Sequence, residues 1–152
     1  MYLSQQGFSV EILCWDRERE KPESEIIDGI RIRRFYPPAR YGSGLRQLLP
    51  YLQFGREVRR YLRSRQVDYL HCHDLDGALV GNACRGDHPG ARVIFDMHEI
   101  YEVQGKKQKL RPLVRQVVKA CHHRADAILY VNDLQLVHLD EPDRAKLIFL
   151  PN

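Results

Sequence analysis

The run VDYLHCHDLDGALVGNACRGDHPGARVIFDMHE, residues 67–99, changes its apolar period twice. Residues 67–72 and 91–96 are short runs rich in β-formers, and the stretch from about 76 to 84 between them carries apolar residues at helical spacing. Strand, helix and strand of these lengths make one right-handed βαβ unit, which sets the two strands parallel. The alternation continues downstream. Leu110, Leu113, Val114, Val117, Val118 and Cys121 mark a helix with Pro112 near its first turn. A strand over 127–131, a short helix from Asp133 and a strand over 146–150 follow. Strand and helix alternate four times after residue 50, which predicts an α/β fold: a Rossmann-like, doubly wound, mostly parallel sheet with helices on both faces. The run AILYV at 127–131 is continuously apolar, as strands buried in parallel sheets are.

Upstream, residues 8–15 (FSVEILCW) form a β-rich run. Residues 30–36 (IRIRRFY) alternate apolar and basic residues as an edge strand does. The charged stretch 17–29 between them ends in the turn signal Asp28-Gly29, so the two runs form a hairpin or are joined by a longer excursion. After Pro37-Pro38 and the glycines at 42 and 44, a helix is predicted from Pro50 to about Arg65. It carries Tyr51, Phe54, Val58, Tyr61 and Leu62 on one face and Arg56, Arg59, Arg60 and Arg63 on the other. Residues 1–6 read as the last turns of a helix with Gly7 as its left-handed cap. A doubly wound domain ordinarily opens with a strand and a glycine-rich turn ahead of such a helix. The expectation is therefore a single domain over 1–152, truncated at both ends and lacking its first strand.

With 43% hydrophobic and 29% charged residues in 152, the composition is that of a soluble globular chain rather than a disordered one. No apolar run nears the roughly 18 residues that cross a bilayer. Cys14, Cys72, Cys84 and Cys121 contain no CxxC pair, and read as reduced, mostly buried small hydrophobes in a cytoplasmic setting. The net charge of +4 is unevenly spread. Residues 103–125 hold no acid, but they include Lys106, Lys107, Lys109, Arg111, Arg115, Lys119 and Arg124. Such a run suits phosphates, acidic lipid headgroups or nucleic acid, and equally describes a solvated helix face.

Ligands of open α/β sheets bind beyond the carboxyl ends of the strands. Two strand ends here are polar: His71-Cys72-His73-Asp74-Leu75-Asp76-Gly77 and Asp96-Met97-His98-Glu99. His71 and His73 are two apart, so an extended chain points both to one side, a start on a metal site. The third ligand would come from Asp74, His98 or Glu99. The alternative is that these residues cap the next helix, with Asp74 or Asp76 as N-cap. A loop histidine beside an acid, as in His98-Glu99, orients hydroxyls or phosphate oxygens, or exchanges protons near neutral pH.

The phrases VDYLHCHDLDG, ARVIFDMHEIYE, RADAILYVND and KLIFLPN, with QGFSVEIL near the start, resemble the N-terminal domain of glycosyltransferase family 4, a retaining family of the GT-B fold. The resemblance runs from Leu3 to Asn152. It implies that His98 faces the transferred sugar as the catalytic-site residue, and that His73, Asp74 and Glu99 line the acceptor side. The chain departs from the family pattern in several places. The first strand and its glycine loop are absent, as is the nucleotide-sugar domain with its paired glutamates. Asn132 stands where a serine is often found, and the acid often seen late in the preceding helix is missing.

The resemblance implies retaining transfer of a glycosyl group from a nucleotide-sugar donor to a saccharide or lipid-linked acceptor, as in polysaccharide biosynthesis. The missing domain would hold the donor. No metal or other cofactor and no nucleic-acid partner are expected. Arg56–Arg63 and Lys106–Lys119 are expected to meet an acidic membrane surface, peripherally on its inner face. Two rivals stand beside this reading: a metal-dependent hydrolase using His71, His73 and His98, and a non-catalytic binding module.

Overall fold

The computed structural model describes residues 2–40, 44–99 and 111–150, with Gly44, Leu45, Val137 and His138 described by backbone alone. Gly42, Lys106, Lys107, Lys109, Leu110 and the termini Met1, Pro151 and Asn152 lie outside the described residues. The chain divides into two compact units, Met1–Tyr61 and Leu62–Asn152.

The first unit opens with helix α1 (Tyr2–Gln5), closed as the sequence predicts. Gly7 sits at φ +86, and the amides of Gly7 and Phe8 donate back to the carbonyls of Ser4 and Leu3 at 3.1 Å each. That is the paired bonding of a glycine-capped helix end. Strand β1 (Glu11–Trp15) pairs in parallel with β3 (Ile30–Phe35). A strand not expected from the sequence, β2 (Ser24–Ile27), pairs antiparallel with β3 across the Asp28-Gly29 turn. So β3 is the centre of the order β1-β3-β2, not the edge its alternating arginines suggest. Those arginines are matched locally: Arg33 pairs with Glu23 and Arg34 with Glu25. Helix α2 (Leu48–Leu62), preceded by a 3-10 turn at Gly44–Gln47, lays its aromatic face on this sheet. Phe54 stacks on Trp15 at 5.5 Å and meets Phe35 edge-on at 5.9 Å. The Tyr61 hydroxyl donates to Glu11 at 2.6 Å.

In the second unit, β4 (Tyr69–His73), α3 (Asp74–Arg85), β5 (Arg92–Met97), α4 (Arg111–Arg124), β6 (Ala127–Tyr130) and β7 (Leu147–Phe149) follow in order. A 3-10 turn (Asp133–His138) and a short helix α5 (Glu141–Arg144), the latter not expected from the sequence, separate β6 from β7. The four strands form an all-parallel sheet in the order β4-β5-β6-β7, the Rossmann-like arrangement expected. Among the described residues β1 and β4 are each paired on one side only.

Alternation along these strands separates two faces. Leu70, Cys72, Val93, Phe95, Met97 and Ile128 point to the core, with Ala78 of α3 and Cys121 of α4. His71, His73, Ile94 and Asp96 point the other way. All four cysteines are free, and burial pushes the Cys72 thiol up to about 12, so it behaves as a hydrophobe. Two glycines let α3 lie close on β4. A Cβ on Gly77 would stand 3.2 Å from the Cys72 carbonyl carbon, and one on Gly81 would stand 2.2 Å from the Cys72 Sγ.

This contact yields a paired test. Gly81→Ala should destabilise the protein by about 1–3 kcal/mol through overpacking. Adding Cys72→Ala leaves the new methyl facing Cys72 Cβ at 3.7 Å, an ordinary contact, and should recover most of the loss. Thermal unfolding of both variants checks this; no recovery in the double variant would show that the sulfur is not the obstacle.

Candidate functional site

Parallel register sets His73 opposite Asp96, and period-2 alternation brings His71 onto the same face. Their rings stack at 4.7 Å and 13°. His98, one residue past the end of β5, adds a third ring 5.7 Å from His73. Beneath this row lies the Asp96 carboxylate, whose side chain is 4% exposed. His71 Nε2 is 2.9 Å and His73 Nδ1 3.3 Å from Oδ2, and His98 Nε2 is 3.1 Å from Oδ1. Oδ1 has an imidazole nearby but no hydrogen bond. Among the described residues no lysine or arginine pairs with Asp96. Partial burial, then the neighbouring His71, hold the His73 pKa below its ordinary value, against the pull of Asp96.

Two side chains from other elements pin the loop after β5. Asp74 neither caps α3 nor leaves that role to Asp76: the N-cap is His73, without a side-chain cap bond. Asp74 instead adopts a left-handed conformation (φ 57), and its Oδ1 accepts from the His98 amide at 3.2 Å. A non-glycine residue there carries strain of about 1 kcal/mol or more, retained where it joins one strand end to the next. On the other side Gln135, 8% exposed, donates to the Met97 carbonyl at 2.9 Å and accepts from the amides of Val131 and Asn132. The site thus brings His71, His73, Asp74, Asp96 and His98 together. Glu99 is exposed just beyond His98.

The sequence does not by itself disclose what Asp96 and Gln135 do. Asp96 reads there only as the end of a strand, with any third ligand beside His71 and His73 expected from Asp74, His98 or Glu99. His71 Nε2, His73 Nδ1 and an Asp96 oxygen all lie within 4.8 Å of one another. Gln135 carries a usable signal: Asn132-x-x-Gln135 is a capping-box spacing, and both of its reciprocal bonds are present.

A family model described as a glycosyl transferase 4-like domain matches residues 2–152. No curated protein is similar enough to the chain to match.

Below the site, buried His122 of α4 packs on Phe95 at 5.5 Å and places Nε2 3.2 Å from the Met97 sulfur; its Nδ1 has no partner. Burial pushes its pKa down from 6.5 to about 4. Between those values the unfolded chain binds a proton that the folded protein refuses, so stability rises with pH across that window. The contribution is complete above pH 6.5 and is lost as pH falls to about 4, a swing on the order of 3 kcal/mol. His122→Leu should flatten the dependence of unfolding free energy on pH between 6.5 and about 4. An unchanged slope in that variant would assign the titration to another group.

Proposed function

We propose, since the chain belongs to the glycosyl transferase 4-like family, that it forms the acceptor-side domain of an enzyme moving a glycosyl group from a nucleotide-sugar donor to a saccharide or lipid-linked acceptor, with retention. The observation that carries the reading is the row of His71, His73 and His98 over Asp96 at the carboxyl ends of adjacent parallel strands, where open α/β sheets bind ligands. Family membership favours transfer over the hydrolase and the inert-module readings.

The His98 ring is 40% exposed at the strand ends, where an imidazole nitrogen meets a sugar hydroxyl. His98 then orients the transferred sugar, while His73, Asp74 and Glu99 line the acceptor side. Positioning of this kind is a large part of the rate in a two-substrate transfer. His98→Ala should lower kcat about 100-fold and leave the melting temperature nearly unchanged, because its ring is 40% exposed. The measurement is radiolabel transfer from uridine and guanosine diphosphate sugars by the native protein carrying this chain. Full activity in His98→Ala would remove it from the site.

No helix of the described residues is long and apolar enough to cross a membrane. Peripheral attachment on the cytoplasmic side is supported by the outward face of α2. At about 100° per residue Leu49, Leu52, Arg56 and Arg60 fall on one stripe, and Leu49 is 77% exposed. Exposed leucines followed by arginines suit an anionic lipid surface that carries the acceptor. Replacing Arg56 and Arg60 by Gln should weaken binding to phosphatidylglycerol vesicles by about 2 kcal/mol, on the order of thirtyfold. Equal cosedimentation of variant and parent at low salt would end the membrane reading.

A further inference from the structure

We propose that His71 Nε2, His73 Nδ1 and the Asp96 carboxylate bind a divalent first-row transition ion of the zinc class. A buried carboxylate needs a positive partner. Among the described residues Asp96 has no lysine or arginine, only imidazoles. Four-coordinate zinc holds nitrogen and carboxylate oxygen at about 2.0–2.2 Å, which sets neighbouring donors about 3.3 Å apart. His71 Nε2 and His73 Nδ1 stand 2.9 and 3.3 Å from the same Asp96 oxygen, and the three ligand atoms lie within 4.8 Å of one another, so small side-chain rotations would admit an ion. The donor set selects the metal class: imidazoles with one carboxylate suit zinc, cobalt or nickel, whereas magnesium and calcium take oxygen cages. The exposed edges of His71 and His73 leave a path of entry from solvent.

A second group of similar spacing supplies the contrast. His123, Asp140 and Asp143 also present ligand atoms within 4.8 Å of one another. There, however, Lys146 Nζ stands 3.0 Å from the Asp143 carboxylate and Lys119 Nζ 2.5 Å from that of Asp140. Their charge is already balanced, and a divalent ion would have to displace both ammonium groups. Spacing alone does not separate the two clusters; charge balance does.

The proposal stands apart from the transfer reading, because its readout is metal binding rather than turnover. The chain, stripped with a chelator, is titrated with zinc by calorimetry and with cobalt by visible absorption. Expected are one equivalent of zinc per chain and the strong absorption band of four-coordinate cobalt. Affinity should fall about tenfold or more in His71→Ala, His73→Ala and Asp96→Asn, and stay unchanged in His123→Ala. Because Asp96 is buried and its variant is the one most prone to misfold, the test rests on the two exposed histidines, with circular dichroism confirming their fold. Absence of saturable zinc binding would overturn the proposal. So would binding that survives the His71→Ala/His73→Ala double variant, loss of binding in His123→Ala, or only the weak absorption of cobalt in solution.

Discussion

A single negative charge, that of Asp96, is held out of water at the end of a central strand, and much of the second unit is arranged around it. Burying a carboxylate without a cation costs several kcal/mol, so a sequence that keeps one there must surround it with polarisable donors. The parallel register that pairs His73 with Asp96 provides the first. Strand alternation provides His71, and the turn after β5 provides His98. Each ring shields the carboxylate further, which is how a group on the face opposite the core becomes 3% exposed.

The strands serve two faces at once, and this ties the site to the core. Cys72, Val93, Phe95 and Met97 are core residues, and their immediate neighbours His71, His73, Asp96 and His98 make the site. A one-residue slip in pairing would exchange the two sets. The apolar packing of α3 and α4 on one face therefore also fixes the register of the polar groups on the other. Gly77 and Gly81 bring α3 onto β4, which sets where α3 begins and hence where Asp74 reaches the His98 amide. Asp74 on one flank and Gln135 on the other hold the backbone of residues 97 and 98, while the His98 ring keeps a solvent-facing side.

The βαβ succession after residue 67 is legible in the sequence because two periods, about 2 and 3.6 residues, leave different apolar spacings, and because each strand ends in a polar run. The glycine cap at Gly7 is equally plain. The edge assignment of β3 fails for a physical reason: Arg33 and Arg34 look solvated in isolation, yet Glu23 and Glu25 beside and within β2 neutralise them. The charge that makes residues 17–29 read as a loop is the partner of the charge that makes β3 read as an edge. Asp96 is in view but its role is not, since one sequence shows that an acid ends a strand and not whether rings close over it. The N-cap role expected of Asp74 or Asp76 fails because capping logic looks within one helix. The bond Asp74 makes crosses to the next strand, 24 residues away.

The two histidine–carboxylate clusters show how far geometry carries by itself. Both meet the same distance test, and both combine histidine with a carboxylate of 4% or lower exposure. They differ in what formal positive charge the described residues supply. Near Asp143 they supply lysine, whose ammonium is fixed by a carboxylate; Lys146 also donates to the carbonyls of His122 and His123, so that cluster seals the end of α4 to α5. Near Asp96 the described residues supply only imidazoles. The sheet places the histidine cluster at the strand ends, where open α/β sheets bind ligands.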